Sequence, residues 1–66
     1  MQVAITVSAR IAESNDQKKA IREWASKNHP EIKRLIDGGF KIKHQMHHSS
    51  YVKVVNTATF ILSDEN

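Results

Sequence analysis

The chain has 66 residues, no cysteine and a formal charge of +3, which excludes disulfides and thiolate metal sites and leaves room for one small core. Its 39% apolar content and periodic segments exclude an intrinsically disordered chain. No acid occurs between Asp37 and Asp64, whereas Lys41, Lys43, Lys53 and three of the four histidines do, and a basic field of this kind attracts polyanions.

Residues 2–10, "QVAITVSAR", alternate strictly. Val3, Ile5 and Val7 fall on one side and Gln2, Ala4, Thr6 and Ser8 on the other, which predicts a strand with one buried and one wet face. The opening segment has no basic leader or long apolar run, and no stretch of 18 apolar residues occurs, so a cytoplasmic protein that does not enter the membrane is expected.

From residue 14 the period changes to that of a helix. Ser14, Asn15 and Asp16 offer N-caps, apolar residues recur at Ile21, Trp24, Ala25, Ile32, Leu35 and Ile36, and Gly38–Gly39 supplies the stop. Pro30 lies inside this run and cannot donate to a helix interior. The apolar phase through Ile21, Ala25, Ile32 and Leu35 is continuous, which favours a bent helix or two nearly collinear ones.

Alternation returns at Phe40. Phe40, Ile42, His44 and Met46 are expected to face inward, and Lys41, Lys43, Gln45 and His47 outward. A loop over residues 47–51 then leads into a strand over 52–62, whose inner face carries Val52, Val54, Ala58, Phe60 and Leu62, with Asn56 the polar exception. The order β-α-β-β makes the third strand antiparallel to the other two. As the most apolar strand it belongs in the centre, which gives an α+β sheet of order 1-3-2 with one helical layer bent near Pro30.

The helix closing in "LIDGGFKIK", the polar hairpin and the terminal strand "TATFIL" resemble short bacterial and phage β-α-β-β domains of unknown function. That resemblance implies a small accessory protein and carries over no catalytic residue.

The histidine-rich stretch "KIKHQMHHSSYVKV" invites a metal reading, which the spacing opposes. On a strand, His44 and His48 share a face but stand roughly 13 Å apart at ~3.3 Å per residue. Adjacent His47 and His48 diverge, and no cysteine or nearby acid completes a ligand set, so no metal or other cofactor is expected. His44 is read as a core-edge residue bonded to backbone or to Asn56, and His29 as a local cap at the helix break. Ser49 and Ser50 have no acid nearby to orient a base, and both glycines are used at the helix end rather than in a phosphate loop, so an enzyme is not expected.

What remains is the sheet face opposite the helix. Gln2, Thr6, Ser8, Arg10, Lys41, Lys43, Gln45, Lys53, Thr57 and Thr59 are predicted there, with His47, His48 and Tyr51 at one end and Ala4, Val55 and Ile61 as outward apolar points. The contact set expected from this is Arg10, Lys41, Lys43, His47, His48, Tyr51 and Lys53. It suits an acidic partner protein or a second copy of the chain. A salt-dependent nucleic-acid surface is the alternative, for which only Tyr51 offers base stacking. Acidification is expected to charge the exposed His47–His48 pair and tighten binding without disturbing the fold.

Overall fold

The alternation of residues 2–10 is realised as a nine-residue strand, β1 (Gln2–Arg10), whose Ile5 and Val7 are buried while Gln2, Ala4, Thr6, Ser8 and Arg10 are exposed. The remaining elements of the computed structural model are α1 (Gln17–Asn28), α2 (Pro30–Asp37), β2 (Lys41–His48) and β3 (Val55–Ser63). The structure describes residues 1–12, 14–48 and 55–65. Val52, Val54, Tyr51 and Lys53, all assigned roles from the sequence, lie outside the described residues.

Of the three candidate caps, Asp16 starts α1, its carboxylate accepting the Lys19 N–H at 3.1 Å. The helical run is not one bent helix but two. His29, at φ −82° and ψ 115°, is extended and separates them. The cause is local: a residue before proline is pushed out of the α region, whereas proline itself fits the first turn, where its missing N–H has no intrahelical partner to lose. His29 serves both helices, donating its backbone N–H to the Ala25 carbonyl and turning its ring Nδ1 toward the Ile32 N–H at a long 3.5 Å.

The stop after α2 is a Schellman arrangement. Gly39 N–H donates to the Ile36 carbonyl and Phe40 N–H to the Leu35 carbonyl, at 3.0 and 2.9 Å. The turn needs a left-handed residue, and Gly39 provides it at φ 98°. Leu35 and Phe40, the pair that such a cap brings together, both pack on the core.

The three strands form one antiparallel sheet of order β1-β3-β2. β1 meets β3 in unbroken register from Gln2↔Ser63 to Arg10↔Val55, with Ile5 opposite Phe60. β3 therefore lies in the centre, as its apolar content requires, and the chain is a small α+β domain. Both helices cover one face. Ile5, Val7, Ile21, Ala25, Ile32, Ala58, Phe60 and Leu62 make the core, with Trp24, Leu35, Ile36, Phe40 and Ile42 half-buried around it.

β2 departs from the expected phase. Ile42 pairs with Leu62 and His44 with Ile61, so Lys43 is an extra residue without a partner in the ladder, a β-bulge. One added residue inverts every later side chain. His44 and Met46 do not enter the core: His44 is exposed opposite Ile61, and Met46 is 42% exposed opposite Thr59. Gln45 and His47, expected outside, turn to the helical side opposite Phe60 and Ala58. The expected bond between His44 and Asn56 is excluded by the same inversion, since Asn56 pairs with Ala9 on the inner face. His47 and His48 are strand residues rather than the start of the loop.

Candidate functional site

The face of the sheet away from the helices is built from alternate residues of three strands. Its rows run Gln2–Ser63–Lys41, Ala4–Ile61–His44, Thr6–Thr59–Met46, Ser8–Thr57–His48 and Arg10–Val55. Its hydroxyls bond to one another across the strands. Thr6 Oγ1 lies 2.8 Å from Thr59 Oγ1, Ser8 Oγ lies 2.9 Å from Thr57 Oγ1, and Thr59 Oγ1 is 2.9 Å from His48 Nε2. A polar chain thus crosses from edge to edge through Thr6, Thr59 and His48. Around it stand Ala4, Ile61 and the exposed Met46.

Among the described residues of this face, charge stands at the ends and not along it. Arg10 and Lys41 belong to rows eight residues apart, or roughly 26 Å at ~3.3 Å per residue. Of the residues predicted to form one contact set, Arg10, Lys41 and His48 lie on the open face, and Lys43 sits at the bulge. His47 is on the other side, and Tyr51 and Lys53 lie outside the described residues.

His47 has its own surroundings at the start of α1. Gln45 Nε2 donates to the Lys18 carbonyl at 2.8 Å and lies 2.9 Å from His47 Nε2, which ties β2 to the first turn of α1. Partial desolvation, then the Lys18 ammonium and then His48, hold the His47 imidazole below its ordinary 6.5. A lowered histidine value favours the neutral ring in the folded state. The stability it contributes is full above the unfolded-state value near 6.5 and declines as pH falls below it. The chain is therefore expected to lose stability between pH 7.5 and pH 5.5, by less than about 1 kcal/mol from this exposed group. Denaturant midpoints of wild type and His47→Gln at both pH values measure it: the substitution should shrink the acid loss. An identical loss in both would remove His47 as the cause.

On the same flank, a shallow depression of about 210 Å³ is lined by Arg22, Ile42, Lys43, His44 and Gln45. Arg22 was not expected in any site. Lys18 and Arg22 are four residues apart and so share one face of α1, a spacing visible in the sequence, but only the tertiary structure sets that face beside β2. Among the described residues no group of three histidines or carboxylates converges on a metal position, and no helix is long and apolar enough to cross a membrane.

Comparison with protein-family models, curated proteins and solved structures found no match.

Proposed function

We propose that the chain is a non-enzymatic accessory protein that acts through protein–protein contact on the open face of its sheet, with self-association as the simplest form. The observation that carries this reading is the neutral centre of the face, where Met46, Ile61 and Ala4 stand among hydroxyls while Arg10 and Lys41 lie at the ends. A surface with an apolar centre and a charged rim has the anatomy of a protein interface. The small accessory role implied by the resemblance to short bacterial and phage domains agrees with it.

Phosphate tracking along a nucleic acid requires a continuous row of cations. The described residues of this face supply cations only at its two ends, and so favour protein over nucleic acid. The partner this surface fits has an apolar patch of its own, with acidic groups placed to meet Arg10 and Lys41.

The test uses sedimentation equilibrium together with capture from nuclease-treated lysate, on wild type, Met46→Lys and Lys41→Glu. Met46→Lys is expected to weaken association by about tenfold or more, the loss of one central apolar anchor. Lys41→Glu, at the rim, should have a smaller effect that fades with added salt. Association that disappears with nuclease treatment, or that Met46→Lys leaves unchanged, would overturn this reading.

A further inference from the structure

We propose that the depression between α1 and the β2 bulge is a binding site for a compact phosphate group, held by Arg22 and Lys43. This depression lies on the flank of the sheet and meets the open face at His44, and the inference does not depend on the protein contact made there.

The bulge adds one residue to the edge strand β2 at Lys43, and Ile42, Lys43, His44 and Gln45 follow one another along the wall of the hollow. β2 is an edge strand in the sheet order β1-β3-β2. Its outer backbone N–H groups therefore have no ladder partner among the described residues, which leaves donors beside the hollow.

The charge of the hollow is one-sided. Arg22 and Lys43 are its charged lining residues, and no carboxylate of the described residues lines it. Among the described residues, the ion pairs are those of the Met1 amino group with Asp64 and Glu65, and no acid of these residues pairs with Arg22 or Lys43. Lys18 stands one helical turn before Arg22 on the same face of α1. Exposed cations gathered without a counter-charge repel one another, and an anion placed between them relieves that repulsion.

The chemistry of the donors selects the anion. A guanidinium offers a planar fork suited to two oxygens of one phosphate, and an ammonium adds a point charge with freely rotating donors. Two cations match the charge of a phosphate monoester, about −1.5 to −2 at neutral pH. A carboxylate would satisfy only one of them. The ligand is accordingly a phosphomonoester or inorganic phosphate, with the phosphate rather than its substituent being recognised.

The test titrates the labelled protein with inorganic phosphate at constant ionic strength, following backbone amides by NMR, with acetate as the singly charged control. The expected result is saturable movement of the amides of residues 22 and 42–45, little response to acetate, and a similar response to a small phosphomonoester such as phosphoserine. Arg22→Gln combined with Lys43→Gln replaces two exposed side chains and should leave the remaining amide spectrum unchanged. It is expected to weaken the response by at least about tenfold through loss of charge-assisted hydrogen bonds, and Arg22→Lys should retain part of it. An unchanged response in the double variant, equal binding of acetate, or binding seen with an oligonucleotide but not with free phosphate would each overturn the assignment. Loss of open-face association in Met46→Lys, with phosphate binding intact, would keep the two surfaces distinct.

Discussion

Phe60→Ala is expected to leave the chain without a folded population at room temperature. Phe60 has no exposed surface and occupies the central strand, where Ile5 lies opposite it on one side and Gln45 on the other. Truncating a buried phenylalanine costs about 3–5 kcal/mol, from lost transfer energy and the cavity left behind. A core of this size supplies only about 3–5 kcal/mol in total. The two quantities match, so the substitution should remove the whole margin of stability. Far-UV circular dichroism and the dispersion of amide shifts read the outcome directly. A variant that still melts cooperatively within a few degrees of wild type would mean that the core holds far more stability than its size allows.

Ile32→Ala comes next in magnitude, and its effect should be regional first. Ile32 is the one fully buried residue of α2, a helix of eight residues. An isolated helix that short is not stable in water, so α2 persists because it is docked. Removing the Ile32 side chain is expected to cost about 2–5 kcal/mol. Leu35 and Ile36, only half-buried, remain to hold the helix. Amide hydrogen exchange should show α2 losing protection before the sheet does, and Glu31→Ala, one residue away and exposed, should show no such loss. Equal loss of protection in α2 and β3 would show that the helix is not a separable unit.

The parts of this fold that were legible in the sequence are those decided by neighbours along the chain. Val3, Ile5 and Val7 alternate with polar residues, and they do face the helices. Gly39 must be left-handed to close α2, and a Gly-Gly pair announces it. The order β1-β3-β2 followed from the apolar character of residues 52–62 and from chain direction. Pro30 signalled a break, and the continuous apolar phase left both a bent helix and two nearly collinear ones open. The conformational preference of His29, the residue before the proline, decides between them, and the helix is divided.

The candidate site was read less well, and one residue accounts for most of the difference. After Ile42 the stretch "KHQMHH" contains a single apolar side chain, so the inward direction rested on Met46 alone. A bulge is decided by pairing with a distant strand, here Leu62 and Ile61, and local periodicity carries no trace of it. The inversion placed Met46 and His44 on the open face and sent Gln45 to the Lys18 carbonyl. It also removed His47 from the expected contact set. Arg22 was missed for a related reason, since helix spacing groups it with Lys18 but does not say which strand lies alongside.

The bulge also changes what a reading-frame-preserving deletion would do to this protein. In a regular strand, losing one residue exchanges the two faces of everything beyond it and turns the sheet inside out. Lys43 stands outside the pairing, with Ile42 already opposite Leu62 and His44 already opposite Ile61. Its removal would let the strand run straight through while Gln45 and His47 kept their inward places and His44, Met46 and His48 their outward ones. Position 43 is thus a point where the chain's length can vary without its faces being exchanged, and genes that differ there by a single codon would still encode the same two surfaces.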